Sequence, residues 1–287
     1  MATATDNVAK LYGKIATSEG TRLAEHPMER ELTLRTIRAH VPPASAAIAD
    51  IGGGPGKLAF ALADDGHLVD LVDLTPELIA MAQAEQDSRR ASPASSGRCL
   101  LQSISVGDAL HRPSSLPAGA YDGVLLLGPL YHLLEEDERA AAVRNALQLA
   151  RPGTGVVFCA FISIAAHLRD IAMRDPAKLL RAQDFYSKYL RDGKYDTFKE
   201  SLGLSVQGYH TYAADARAFL QKHFADEAEL IELRSTEGIL GGGLDAKLED
   251  AGPQVVQAWA NLMYDEYSTK EEFLGCADHL IAILRRK

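Results

Sequence analysis

The segment Asp50-Ile51-Gly52-Gly53-Gly54-Pro55-Gly56 decides the fold, because it joins a short apolar run (46–51) to a helical pattern (57–65). Glycines at such a junction let the chain turn tightly and let a ligand approach the main chain. The first turn of the following helix then offers unpaired N–H groups. We therefore predict a strand, a ligand-binding loop and a helix, in that order.

The spacing of this loop, D-x-G-x-G-x-G, separates it from two other glycine-rich loops. A dinucleotide fingerprint, G-x-G-x-x-G counted from Gly52, requires glycine where this chain has Lys57. A phosphate loop requires G-K-[ST], which does not follow here. The loop therefore favours a ligand other than a dinucleotide or a nucleoside triphosphate.

The chain around the loop alternates between strand-like and helix-like patterns, which is typical of a parallel, doubly wound α/β sheet. Further strands are predicted at 67–73, 100–106, 121–127 and 155–162, with helices at 75–87 and 135–150 and a loop at 88–97. After residue 162 the pattern becomes helical and loop-like, and it resumes with a helix at 213–224, a strand at 229–234, a helix near 254–266 and a strand at 279–284. We predict a single domain, 1–287, with a helical lead-in (1–45) and an inserted helical cap (163–212).

Composition narrows the class of protein. The net charge of −9 over 287 residues argues against a nucleic-acid binder, and the longest uncharged apolar stretch, 155–166, is too short to span a membrane. The N-terminus shows no secretory signal, and three cysteines without a C-x-x-C motif suggest reduced thiols in the cytoplasm. The nine histidines have no metal-ligand spacing, so we expect no dedicated metal site; a monomer and a homodimer both remain open.

Two further acids end predicted strands, where ligands bind in sheets of this kind. Asp73 ends the second strand, and a carboxylate there can accept hydrogen bonds from both hydroxyls of a ribose. Asp108 ends the third strand, where it can accept from an adenine amino group. Turn residues are common at strand ends, but three such motifs in order favour an adenosine-containing ligand.

These features, with Gly128-Pro129-Leu130-Tyr131-His132-Leu133 after the fourth strand, resemble the class I S-adenosylmethionine-dependent methyltransferases that act on small molecules. The resemblance implies a Rossmann-like, seven-stranded, mostly parallel sheet of order 3-2-1-4-5-7-6 with the last strand antiparallel. It implies S-adenosylmethionine as cofactor and S-adenosylhomocysteine as product.

The resemblance also implies roles for individual residues. Gly52, Gly54 and Gly56 would wrap the methionine part of the cofactor, and Asp50 would orient the loop and meet the methionine amino group. Asp73, with Leu74 beside it, would hold the ribose. The adenine would be held by Asp108 and the main chain of Ala109, and the sulfonium would lie over Leu127 and Gly128.

Candidates for catalysis lie close to the expected position of the sulfonium. His132 could take a proton from a hydroxyl or an ammonium, since an imidazole titrates near neutrality; the alternative is that it packs against the next helix. Tyr131 would line the pocket rather than act as the base. His210 is a second candidate base, although a lone loop histidine is usually solvated.

The cap is expected to choose the substrate, because seven of the 19 aromatic side chains fall between 185 and 212. Aromatic walls suit flat or cationic organic substrates, but a small insert also needs large side chains for its own core. Tyr12 would close the pocket from the lead-in. The candidate substrate-binding residues are Tyr12, Tyr131, Tyr186, Tyr189, Tyr209 and Tyr212.

The favoured hypothesis is methyl transfer from S-adenosylmethionine to oxygen or nitrogen of a small organic molecule. A second is a protein of the same fold that binds the cofactor or its product but performs a non-methylating reaction or a regulatory role. A nicotinamide-dependent oxidoreductase is a third, which Lys57 disfavours. The sequence leaves the substrate and the acceptor atom open.

Overall fold

The computed structural model describes residues 7–16, 26–91, 99–199 and 202–287. Most of the predicted loop at 88–97, and part of the predicted lead-in at 1–45, lie outside these ranges. Where the loop is described, at 88–91, the chain is still helical.

The helices are α1 (7–16), α2 (Pro27–His40), α3 (Lys57–Asp64), α4 (Pro76–Ala91), α5 (Glu136–Leu149), α6 (Ile164–Arg174), α7 (Lys178–Arg181), α8 (Gln183–Asp192), α9 (Ala213–Phe224), α10 (Ala246–Asp250), α11 (Pro253–Leu262) and α12 (Glu271–Leu274). Short 3₁₀ turns lie at Leu130–His132 and Gly238–Leu240, and a π-helical turn at Met263–Tyr267. The strands are β1 (Ala47–Ile51), β2 (Leu68–Asp73), β3 (Ser103–Val106), β4 (Gly123–Leu126), β5 (Val156–Ser163), β6 (Lys194–Lys199), β7 (Leu204–Thr211), β8 (Ala228–Ser235) and β9 (His279–Arg286).

The main sheet has the order β3-β2-β1-β4-β5-β9-β8. Strands β1 to β5 are parallel, whereas β9 runs antiparallel to both β5 and β8. This confirms the predicted order 3-2-1-4-5-7-6 with the last strand antiparallel. Because β1, β2 and β4 end at one edge, the loops that follow them meet there.

Helices cover both faces of the sheet, which explains the continuous apolar runs of β4 and β5. One face packs α5 and α9 against strand residues such as Val124 and Val157. The opposite face packs α2 and α3 against residues such as Leu125 and Phe158. Alternate residues of each strand therefore enter different cores, and the fold is a doubly wound α/β sheet.

The cap region between β5 and α9 differs from the helical pattern that its sequence predicts. Three helices, α6 to α8, are followed by an antiparallel hairpin of β6 and β7, paired from Lys194↔Tyr209 to Lys199↔Leu204. The hairpin strands are rich in polar side chains and are only partly buried, so they lack the apolar pattern that marks a core strand.

Among the described residues, the hairpin pairs with the main sheet at the tip of β5, through Ile162↔His210 and Ser163↔Thr211. Strand β9 already occupies one edge of β5 as far as Ile162, and β4 leaves the other edge after Cys159. β7 therefore pairs with the same edge of β5 as β4 does, but beyond the point where β4 ends. This places the hairpin over the carboxyl end of β4. Within the described ranges, no helix is both long and apolar enough to cross a membrane.

Candidate active site

A cleft of about 1130 Å³, including its open mouth, lies at the carboxyl ends of β1, β2 and β4. Every residue that the sequence assigned to the cofactor lines it except Gly56. The lining residues are Val8, Tyr12, Asp50, Gly52, Gly53, Gly54, Pro55, Lys57, Leu58, Asp73, Leu74, Thr75, Leu78, Gly107, Asp108, Ala109, Leu127, Gly128, Pro129, Tyr131, His132 and Leu133.

The glycine loop needs glycine for two different physical reasons. Gly52, Gly54 and Gly56 have φ of 76°, 56° and 78°, in the left-handed region that side chains disfavour. Gly53 instead needs space, since a Cβ there would lie 2.3 Å from Oδ2 of Asp50. The motif spacing treats position 53 as variable, so sequence reasoning missed this residue.

Asp50 supplies a buried carboxyl group to the cleft wall. The residue is 2% exposed, and its Oδ2 has no hydrogen-bond partner among the described residues. Burial, with a smaller contribution from the nearby Asp73 carboxylate, raises the pKa of Asp50 to about 7. A buried carboxylate without a hydrogen-bond partner is stabilised by a cationic donor. The site therefore fits a ligand with an ammonium group.

Asp73 holds the glycine loop against the start of α4. Its Oδ2 accepts from the Gly54 N–H and its Oδ1 from the Thr75 N–H, both at 2.8 Å. A carboxylate at this position can also accept hydrogen bonds from ribose hydroxyls. Asp108 accepts from the Leu110 N–H at 2.9 Å, an arrangement that fixes the turn after β3.

The segment after β4 packs closely on the glycine loop. A Cβ at Gly128 would lie 2.9 Å from the Gly52 carbonyl oxygen, so glycine is required for the approach. The following 3₁₀ turn directs Tyr131 and His132 into the cleft. Buried Arg139 holds the end of this segment by donating to the carbonyl of Leu133, at 2.7 Å.

His132 meets Tyr12, which α1 brings across the cleft. The Tyr12 hydroxyl lies 2.9 Å from Nε2 of His132, and the rings meet edge to face. Nδ1 is buried and forms no hydrogen bond of standard geometry, although the main chain of Gln207 is close enough to favour a protonated ring slightly. Burial outweighs this effect and lowers the pKa of His132 to about 4, so the imidazole is neutral near pH 7.

The other predicted site residues lie outside the cleft lining. His210 accepts from or donates to the Tyr189 hydroxyl at 2.7 Å, and burial lowers its pKa to about 3. Tyr186 and Tyr189 are buried in a cap cluster with Ile164. Their packing favours the cap-core alternative for this part of the aromatic cluster.

Two further tyrosines of the cap lie on a second, more polar groove. Tyr209 and Tyr212 line it beside α9, together with His210. The Arg139 guanidinium stacks on the Tyr209 ring at 3.5 Å. The predicted substrate residues are therefore divided among three places: the cleft, the buried cap cluster and this groove. Among them, Tyr12 and Tyr131 face the cleft.

Within the described part of the chain, one group of side chains has a geometry that could hold a metal ion, and it lies outside the cleft lining. Ligand atoms of Glu29, Glu237 and His279 are within 4.8 Å of one another. His279 Nδ1 lies 2.6 Å from Glu237, whose second oxygen accepts the His279 N–H at 2.9 Å. These hydrogen bonds link Glu237 to His279, and the expected absence of a dedicated metal site stays a prediction.

Comparison with known proteins finds similarity to methyltransferases. The profile of the family described as methyltransferase domain matches residues 48–153. A ubiquinone biosynthesis O-methyltransferase from Xanthomonas axonopodis pv. citri (strain 306) is 25% identical over 206 residues, covering 70% of this chain and 80% of the relative.

Solved structures share the fold at low sequence identity. Magnesium protoporphyrin IX methyltransferase from Synechocystis PCC 6803, solved with bound S-adenosylhomocysteine, has a TM-score of 0.57 and 15% identity, covering 99% of this chain and 100% of that one. A SAM-dependent methyltransferase from Methanosarcina mazei has a TM-score of 0.56 and 17% identity, covering 88% and 96%. The matched segment, 48–153, contains the glycine loop and both later acids on this strand order. This part of the chain is therefore similar to a methyltransferase domain, and the chain has the fold of class I S-adenosylmethionine-dependent methyltransferases.

Proposed function

We propose that the protein transfers a methyl group from S-adenosylmethionine to an oxygen or nitrogen atom of a small organic molecule in the cytoplasm. The observation that carries the proposal is Asp50, a buried carboxyl group whose Oδ2 lacks a partner among the described residues and which lies in the wall of the cleft beside the glycine loop. The methionine ammonium of the cofactor is the kind of group that would complete it.

The remaining cleft residues support the same ligand. Asp73 and Asp108 stand at the ends of the neighbouring strands β2 and β3, where carboxylates can accept hydrogen bonds from a ribose and an adenine. Cofactor binding would place a methyl group on a sulfonium, a good leaving group, within the cleft. Leu127 and Gly128 would then support it from below, and Tyr131 and His132 would line the acceptor side.

Positioning would supply most of the rate enhancement, because the leaving group needs no activation. The cleft holds the two reactants in a fixed orientation between the glycine loop and α1. His132 is the candidate proton acceptor, and its neutral state keeps a lone pair available. His210 would contribute only indirectly, since it lies in the cap beside Tyr189.

Calorimetry with S-adenosylhomocysteine tests the proposal. We expect the wild-type protein to bind it and Asp73→Asn to bind at least about tenfold more weakly, since a hydrogen bond to a charged group contributes about 1.5–3 kcal/mol. Asn is preferred to Ala because Asp73 also holds two main-chain amides. Asp137→Asn, at an exposed position on α5, is the matched control.

Absence of wild-type binding, or undiminished binding by Asp73→Asn, would refute the proposal. Turnover with S-adenosylmethionine is then followed by release of S-adenosylhomocysteine in the presence of small hydroxyl and amine compounds. A substrate converted without consumption of the methyl donor would instead favour a non-methylating member of the same fold.

A further inference from the structure

Helix α1 forms the wall of the cleft opposite the glycine loop. Val8 and Tyr12 line the cleft from this helix. On one side Gly13 lies against α4, where a Cβ would be 3.1 Å from the Glu77 carboxylate. On the other side Lys14 donates to the carbonyl of Leu202, next to the β6–β7 hairpin. These contacts hold the Tyr12 hydroxyl at the acceptor end of the cleft.

The Tyr12–His132 contact joins parts of the chain that are 120 residues apart in sequence. The hydroxyl and Nε2 are 2.9 Å apart, a normal hydrogen-bond distance. On the other side of the ring, Nδ1 has no hydrogen-bond partner of standard geometry among the described residues. When the hydrogen is on Nδ1, Nε2 accepts the hydrogen of the Tyr12 hydroxyl, and this is the tautomer that the inference requires.

We propose that Tyr12 and His132 form a proton-accepting dyad for a neutral hydroxyl substrate, with the Tyr12 oxygen in contact with the acceptor hydroxyl. The inference rests on the proposed function, and it assigns a catalytic role to Tyr12 and a substrate class to the same site. His132 would act through Tyr12 and would not touch the substrate.

The step balances without any further reactant. The acceptor oxygen forms a bond to the methyl carbon while the carbon–sulfur bond breaks, and its electron pair stays on sulfur. The acceptor O–H proton moves to the Tyr12 oxygen, as the Tyr12 proton moves to Nε2 of His132. The positive charge thus passes from the sulfonium to the imidazole, and the net charge of the cleft does not change.

The acceptor end of the cleft suits a hydroxyl better than an ammonium. Its described lining is Val8, Tyr12, Pro129, Tyr131, His132 and Leu133. These side chains carry no carboxylate, whereas the three acids of the cleft lie on the cofactor side. A hydroxyl becomes strongly acidic as its oxygen is methylated, so a weak base suffices; an ammonium must lose its proton before it can attack.

Two shape-matched probes, phenol and thiophenol, separate proton transfer from positioning. At about pH 8 phenol keeps its proton, as tyrosine does, whereas thiophenol is largely a thiolate and needs no base. We expect Tyr12→Phe to lower kcat/KM for phenol at least about 100-fold and to change that for thiophenol less than about threefold. His132→Gln should show the same selectivity, and Tyr267→Phe, on the π-helical turn, is the control. An equal loss with both probes, or no loss with phenol, would overturn the dyad.

Nitrogen NMR of the histidine rings tests the dyad without any substrate. In the complex with S-adenosylhomocysteine, His132 should be neutral with hydrogen on Nδ1 at about pH 6, and its Nε2 shift should change in Tyr12→Phe. A charged ring, the other tautomer or an unchanged shift would overturn the inference. Lack of S-adenosylhomocysteine binding by the wild type would count against the proposed function itself.

Discussion

Cofactor binding is expected to depend on the protonation of Asp50. Its pKa is about 7 in the free protein, because the group is buried and lies near the Asp73 carboxylate. An ammonium group beside it would favour the charged form and lower this pKa in the complex. Binding therefore requires loss of a proton at any pH below about 7.

The sign and size of the effect follow from linkage. Above pH 7 the carboxylate is already charged and the affinity is at its plateau; below pH 7 the affinity falls as the proton competes with the ligand. Dissociation constants for S-adenosylhomocysteine should rise about tenfold at pH 6 and about 100-fold at pH 5, provided that the pKa in the complex lies below that range.

Calorimetry between pH 5 and pH 8, in buffers with different ionisation enthalpies, measures both the affinity and the proton release. The wild type should release close to one proton at about pH 6. Asp50→Asn should bind more weakly at pH 8 and lose the dependence on pH. Asp108→Asn is the matched control: it should lower the affinity but keep the wild-type dependence of the affinity on pH.

A wild-type affinity that is constant from pH 5 to pH 8 would refute this reasoning. An Asp50→Asn variant whose affinity depends on pH as the wild type's does would also refute it. The first result would mean that Asp50 is charged in the free protein, and the second that another group carries the linkage.

The same carboxyl group should destabilise the ligand-free fold. Since its pKa is raised above the ordinary value of 3.8, its effect on stability is absent at acid pH and grows as pH rises from about 4 to about 7. A shift of about three pKa units corresponds to roughly 4 kcal/mol, an upper bound for a relaxed structure. Ligand-free Asp50→Asn should therefore melt several degrees higher than the wild type at pH 8; equal or lower melting would contradict the shift.

Three other predictions concern packing. Gly53→Ala should lower S-adenosylhomocysteine affinity at least about 100-fold, because its Cβ would lie 2.3 Å from a carboxylate oxygen, whereas Gly275→Ala has open space and should bind normally. Arg139→Met should reduce the free energy of unfolding by about 3 kcal/mol in urea titrations, since it leaves buried carbonyls without a donor; an unchanged midpoint would contradict that role. Cys99 is exposed and should react at once with a thiol reagent, whereas Cys159 should react only after unfolding; early reaction of Cys159 would show that β5 opens.

The sequence predicts the sheet well, for a physical reason. Strands buried on both faces, such as β4 and β5, carry uninterrupted apolar runs. The acids that a ligand requires stand at the ends of β1, β2 and β3. The strands of the hairpin, β6 and β7, are stabilised by pairing with each other rather than by core burial. Their mixed composition therefore gives no periodic signal.

The cofactor side of the cleft could be predicted more completely than its acceptor side. Asp50, Asp73 and Asp108 occur at strand ends, so spacing alone brings them together. Tyr12 and His132 meet only after α1 folds across the sheet, a contact that no local pattern encodes. Likewise, a count of aromatic residues cannot tell a pocket wall from a small core.

The two residue pairs between β5 and β7 have a consequence for local unfolding. A unit attached through so few backbone hydrogen bonds can detach at a free-energy cost well below that of global unfolding. Amide protons of β6 and β7 should then exchange with solvent long before those of β1 and β4. The β6–β7 hairpin would therefore open and close as a cooperative unit of its own, while β1 and β4 stay folded.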